Sequence, residues 1–222
     1  PSFAAITQPL VFITGFSSVI GQALARREHQ AGYRLALAAR RTSEVKSWAD
    51  AHQISASSYE IYSADVAVVD SIVAAGAECI ARQGLPDVVI ANAGISVGMD
   101  TAVREDLDVM ARTFATNNLG LAATFHPFAL VLSVRRSGTL VSKARMAGIR
   151  GLPGHGAYCA SKAAVISYCE SLRGEMRPFG VRVVTLSPGY IDTPLTRSNR
   201  YSMPLLMQPE DFAERAYLAI AA

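Results

Sequence analysis

The stretch Leu10-Val-Phe-Ile-Thr-Gly-Phe-Ser-Ser-Val-Ile-Gly21 decides the fold. It opens on an apolar run of strand length. A glycine-containing turn then leads into a segment with Ala23, Leu24 and Arg27 at helical spacing. Such a turn offers the free N–H groups and positive dipole end of a helix to a phosphate. Gly15 permits the tight turn, and Gly21 permits close packing or close approach to a ligand. A plain strand-to-helix turn reads the same way, so the weight comes from the rest of the chain.

The same rhythm repeats. Strands are expected over 35–39, 59–62, 87–91, 139–141 and 181–186. Helices are expected over 20–30, 43–52 with Ser43 as N-cap, and 68–81. A long helix falls within 107–134, where Pro127 should kink it or mark its boundary. The helix over 158–176 is stopped by Pro178 and Gly180, and a last one, with Pro209 in its first turn, covers 209–222. This alternation implies βαβ units and an α/β, doubly wound, Rossmann-like parallel sheet with helices on both faces. No Pro-, Gly- or Ser-rich linker divides the chain, so 1–222 reads as a single domain.

Composition agrees. Of 222 residues, 50% are hydrophobic and 18% charged, enough apolar material for a core and too much for disorder. The net charge of +3 is small and dispersed, which argues against a nucleic-acid partner. The most apolar stretch, 119–134, is broken by Gly120, His126 and Pro127, so no membrane span is expected. Cys79, Cys159 and Cys169 form neither a disulfide framework nor a metal-ligand pattern and read as reduced thiols of a cytoplasmic protein. Pro1 to Gln8 lack the pattern of a signal peptide.

In a doubly wound sheet, ligands sit beyond the carboxyl ends of the strands. Arg40-Arg41 follows the second strand, where an acid would take the ribose 2′-hydroxyl of NAD and an Arg the 2′-phosphate of NADP. A solvated basic pair is the plainer reading. Asp65-Val66 follows the third strand; the carboxylate can accept from an adenine amino group, cap the next helix, or both. Asn92-Ala93-Gly94 follows the fourth, and Asn92 can hold neighbouring strand backbones together or serve as turn chemistry. Tyr158 and Lys162 lie four apart on one helix face. An ammonium beside a phenol favours phenolate and lowers its pKa, which makes a proton donor and acceptor for an alcohol/carbonyl pair.

In this order, these residues resemble the short-chain dehydrogenase/reductase family over nearly the whole chain. The resemblance rests on Thr14-Gly15 to Gly21, Asp65-Val66, Asn92-Ala93-Gly94, Asn117-Asn-Leu-Gly120, Tyr158-x-x-x-Lys162, and Ser187-Pro188-Gly189 with Ile191 and Thr193. It implies Tyr158 as general acid/base, Lys162 as holder of the cofactor ribose, and Asn117 as holder of a relay water. It implies cofactor contacts from Gly15, Ser17, Ser18, Ile20 and Gly21 in the turn, from Arg40, Asp65 and Val66, and from Asn92, Ala93 and Gly94. Tyr158, Lys162, Pro188, Gly189, Ile191 and Thr193 complete the implied set. It also implies a homodimer or homotetramer, for which Ala163, Val165 and Ile166 could serve as interface or as core.

Three residues depart from the family pattern. Val19 stands where the turn usually has a glycine, and a β-branched residue is poor wherever φ must be positive. Arg145 stands thirteen residues before Tyr158, at the place of the family serine that binds the substrate oxygen. Lys143 falls near the end of a strand expected to be buried, where an unpaired charge is costly. The chain ends at Ala222, before the seventh strand and C-terminal segment expected of the family. His155 reads as a loop histidine with a substrate contact as the alternative, and His126 as structural. The resulting expectation is an oxidoreductase of a small-molecule alcohol/carbonyl substrate, using NADP(H) in preference to NAD(H) and no metal. The competing expectation, motivated by Val19 and Arg145, is a catalytically impaired dinucleotide-binding module.

Overall fold

The strands β1 (Leu10–Thr14), β2 (Arg34–Ala39), β3 (Tyr59–Ser63), β4 (Val88–Ala91), β5 (Thr139–Lys143) and β6 (Arg182–Leu186) form one sheet, in the order β3-β2-β1-β4-β5-β6. Every pairing is parallel; Ile13 of β1, for example, lies between Leu37 of β2 and Ile90 of β4. This is the doubly wound, Rossmann-like topology expected, seen in a computed structural model that describes residues 7–197 and 203–222. Pro1 to Gln8 therefore fall largely outside the described residues.

The helices are α1 (Val19–Gln30), α2 (Ser43–Ala51), α3 (Val69–Gln83), α4 (Asp106–Phe114), α5 (Gly120–Arg135), α6 (Gly156–Met176), α7 (Pro194–Arg197) and α8 (Pro209–Ala221). Alternate residues of each strand feed two cores. Val11 and Ile13 meet Leu24, Trp48 and Phe212 from α1, α2 and α8. Leu10 and Phe12 meet Ile72, Phe128 and Val165 from α3, α5 and α6. Burial on both faces explains why the strands read as continuous apolar runs. Cys79, Cys159 and Cys169 are free and buried, and Val165 belongs to the core with Ile166 packed against it.

Two local expectations are corrected. Ser43 is not an N-cap: it is the first residue of α2, Thr42 precedes it, and no side chain caps that end. Pro127 does not bound its helix but lies inside α5, where it packs against Gly76 so closely that a Cβ there would sit 2.3 Å from Pro127 Cγ. The interruption falls earlier, at a π turn over Ala115–Leu119 that joins α4 to α5. Gly120, just after it, comes against the chain beyond β3; a Cβ there would meet the Val66 carbonyl oxygen at 2.6 Å.

Strand order reverses between β1 and β4, the place where α/β sheets open a crevice. The chain leaves β1 at Gly15 and β4 at Asn92, so these residues face each other across that point.

Candidate active site

The turn after β1 is pinned to β4 by side-chain hydrogen bonds. Asn92 Nδ2 donates to the carbonyls of Thr14 (3.2 Å) and Gly15 (3.1 Å), and the amides of Asn92 and Ala93 donate to Thr14 Oγ1. Asn92 thus holds neighbouring backbones together, as its chemistry suggested. Gly15 has φ +67°, and a Cβ there would lie 2.6 Å from Ala93 Cα, so both its conformation and its surroundings demand glycine. Ser18 caps α1, accepting from the Gly21 amide at 2.9 Å. At Gly21 a Cβ would lie 2.4 Å from the Gly15 carbonyl oxygen, so this glycine serves close packing. Val19 opens α1 with no positive φ, and its side chain is exposed, so the expected backbone conflict does not arise.

These contacts shape one wall of a cleft of about 890 Å³ along the carboxyl ends of the strands. Its lining unites Gly15, Ser17, Ser18, Arg40, Asp65, Val66, Asn92, Ala93 and Gly94 of the expected set. Arg41 also lines it but is paired with Glu44 at 2.8 Å, whereas Arg40 is exposed and has no ion pair among the described residues. Asp65 does not cap α3; its Oδ1 accepts from the Ala67 amide at 3.0 Å in a turn ahead of that helix. Ile20 points into the core instead of the cleft. Pro188, Gly189, Ile191 and Thr193 also lie off this wall, on the chain that leaves β6: the Pro188 carbonyl accepts from the Met146 amide, and Ile191 is buried beside Met207.

At the other end of the cleft, a Cβ on Gly94 would lie 3.2 Å from Asn117 Oδ1 and 3.6 Å from Lys162 Nζ. The π turn carries Asn117 inward, where its side chain is fully occupied. Oδ1 accepts from the Ile95 amide (2.8 Å), and Nδ2 donates to the Ile95 carbonyl and to Ser161 Oγ (2.9 Å each). Ser161 in turn donates to the Tyr158 carbonyl at 2.7 Å, and Asn118 donates to the Ser161 carbonyl at 2.8 Å. Ser161 and Asn118 are thus positioning residues that sequence reasoning missed. Their signal was their place inside the two motifs, between Tyr158 and Lys162 and beside Asn117. Arg112, Thr116 and Lys143 were likewise not expected on the cleft wall.

The electrostatics depart from expectation in one respect. Lys162 is buried and donates to the Lys143 carbonyl at 2.9 Å, and its Nζ lies 5.8 Å from the Tyr158 ring centroid. The cation that favours the phenolate here is Arg145. Burial holds the Tyr158 pKa above its ordinary value, and the Arg145 guanidinium offsets only part of that rise. Burial, then the charge of Arg145, pulls Lys162 down to about 8. Burial, then Lys162 and Arg145, pulls half-buried Lys143 down to about 7. His155 precedes the first residue of α6, and His126 is exposed on α5. Among the described residues there is no grouping of His, Cys, Asp or Glu able to hold a metal, and no helix is long and apolar enough to cross a membrane.

Residues 9–203 match the family model described as short chain dehydrogenase. The chain belongs to the short-chain dehydrogenase family. An uncharacterized oxidoreductase of Myxococcus xanthus is 36% identical over 202 residues, which cover 91% of this chain and 79% of the relative. A dehydrogenase/reductase SDR family protein 7-like of Anopheles gambiae is 33% identical over 192 residues, covering 84% of this chain and 60% of that relative. Among solved structures, ElxO with NADP bound superposes with a TM-score of 0.88 at 21% identity, over 96% of this chain and 91% of that one. At that identity the likeness speaks for the short-chain dehydrogenase fold alone.

Proposed function

We propose that this chain is an NADP(H)-dependent oxidoreductase that interconverts an alcohol and a carbonyl, with Tyr158 as general acid/base. The observation that carries the reading is the continuity of the cleft. Gly94 lines it and stands 3.6 Å, from an ideal Cβ, to Lys162 Nζ. One surface therefore runs from a phosphate-type helix N-terminus to Gly94 and Lys143, the two residues against which Lys162 Nζ is held. The volume suits a dinucleotide. Ser17, Ser18 and the first turn of α1 would hold the diphosphate. Arg40, free of acidic partners among the described residues, would take a 2′-phosphate. Asp65 and Val66 would meet the adenine, and Lys162 the ribose.

When bound, the nicotinamide gives or takes the hydride. The chain's own part is proton transfer and positioning. Tyr158 exchanges its hydroxyl proton with the substrate oxygen. Arg145 faces that hydroxyl and favours its ionised form, so it assists removal of the proton. Asn117 and Ser161 fix α6 against the segment after β4, which sets where Tyr158 and Lys162 stand. The chain from Pro188 to Thr193 is the proposed wall for the nicotinamide carboxamide, and residues 1–222 are proposed to act as one domain.

Exposed Leu119, Leu130, Val131 and Val134 on and before α5 support assembly as a homodimer or homotetramer, which sedimentation would test. A module that binds nucleotide without turnover loses one of its two grounds, since Val19 neither strains the backbone nor lines the cleft. The reading is tested by NADPH titration followed by oxidation of bound NADPH against a panel of aldehydes, ketones and oxo acids. NADPH binding with carbonyl-dependent oxidation is expected; no binding would overturn it.

A further inference from the structure

Lys143, Arg145 and Lys162 converge where β5 ends against α6, and none has an ion pair among the described residues. Their charges work against one another: Lys162 and Arg145 both bear on Lys143, and Arg145 bears on Lys162. Like charges gathered in a partly buried site are costly unless something of opposite sign joins them. No carboxylate among the described residues does so. In the proposed reading the anionic groups of a dinucleotide would take their partners at the far end of the cleft, at the Gly15 turn and Arg40.

Arg145 is the member of the cluster placed for a substrate. Arg145 stands two residues beyond Lys143, whose carbonyl accepts from Lys162 at 2.9 Å; its guanidinium favours the ionised Tyr158 hydroxyl and lies 5.8 Å from the Tyr190 ring centroid. The two tyrosines restrict the guanidinium's freedom, and its planar fork matches a carboxylate with two parallel hydrogen bonds. A serine hydroxyl at this place would offer one donor to one oxygen. The guanidinium offers several, and it offers them with charge.

We propose that Arg145 selects substrates that carry a carboxylate one or two carbons from the reacting carbon, making the substrate class short β- and γ-oxo acids and their hydroxy acids. Closeness sets the chain length. A guanidinium beside the proton-exchanging hydroxyl suits a carboxylate on the carbon next to the reacting carbon, or on the one after it. Lys143 and Lys162 supply the surrounding positive field. The proposal rests on the oxidoreductase reading of the site, but the anion site is measurable without turnover.

The test is calorimetric titration of butyrate and of its neutral isostere butyramide into the full chain in the presence of NADP. Butyrate is expected to bind the unmodified chain at least about tenfold more tightly, the scale of one charge-assisted contact. Arg145→Ser should abolish the preference and Arg145→Lys should keep part of it. Equal affinity for the two ligands, or a preference that survives in Arg145→Ser, overturns the proposal. Initial rates with NADPH then compare acetoacetate with methyl acetoacetate. A higher kcat/KM for the acid supports the proposal. A higher value for the ester overturns it and leaves the oxidoreductase reading standing. A butyrate preference with no turnover of any carbonyl supports the anion site and overturns the oxidoreductase reading instead.

Discussion

The Lys162 ammonium donates to the Lys143 main-chain carbonyl at 2.9 Å. This bond ties the middle of α6 to the last residue of β5 and brings the two lysines into one cationic group. With both pKa values drawn down, to about 7 for Lys143 and about 8 for Lys162, the group loses charge across ordinary assay conditions.

The sign of the first prediction follows. Well below pH 7 the site holds most of its positive charge, and well above pH 8 both lysines are largely neutral. The KM of a carboxylate substrate should therefore rise as pH increases from 7 through 8, while that of its ester changes little. Initial rates across pH 6 to 9 check this, and Lys143→Met should flatten the lower part of the rise.

Glu28 yields a prediction about stability. Its side chain is buried in α1, Oε2 has no hydrogen-bond partner among the described residues, and burial pushes the carboxyl up to about 7. The unfolded chain loses that proton near the ordinary value of 4.5. Between the two values the folded state holds more protons than the unfolded one, so stability falls as pH rises from 4.5 to 7 and then levels off. The loss is at most about 3 kcal/mol, from 1.36 kcal/mol per pKa unit. Urea midpoints measured at pH 4.5 and 7 should show it, and Glu28→Gln should remove it.

Arg40 is the proposed discriminator between the cofactors. Arg40→Asp should weaken NADPH by at least about tenfold, as loss of a charge-assisted phosphate contact predicts, and leave NADH binding near its starting value. Fluorescence titration of both nucleotides measures it. Equal weakening of the two would count against a 2′-phosphate contact.

Gly21 tests the turn. A Cβ there would lie 2.4 Å from the Gly15 carbonyl oxygen and 2.9 Å from Asn92 Nδ2. Gly21→Ala must therefore push apart the turn and β4. We expect a loss of about 1–3 kcal/mol in stability, the usual cost of overpacking, together with weaker nucleotide binding. Thermal unfolding and NADPH titration of the same variant report the two effects.

Much of this was legible in the chain itself. Strands buried on both faces leave apolar runs such as Leu10 to Thr14, and the parallel order follows from the helices between them. The turn, Arg40, Asp65 and the Asn92 to Gly94 segment could be placed on one cleft because all follow strand ends. The π turn at Ala115–Leu119 was not legible, since one extra residue per turn changes no composition and breaks no period clearly. Pro127 misled because tertiary packing, of Pro127 against Gly76 and of Phe128 against Phe12, keeps α5 continuous through a residue that would disfavour it alone. Within the site, the sequence displayed Arg145 as a departure. Which cation reaches the Tyr158 hydroxyl depended on side-chain paths that residue spacing does not encode.

The most direct measurement compares the unmodified chain with Tyr158→Phe in two readouts, NADPH affinity by fluorescence and the rate of carbonyl-dependent NADPH oxidation. Phenylalanine keeps the ring and removes only the hydroxyl that exchanges the proton. The account predicts nearly unchanged affinity with a rate reduced at least about 100-fold, the lower end for removing a general acid. Unchanged turnover in Tyr158→Phe would contradict it.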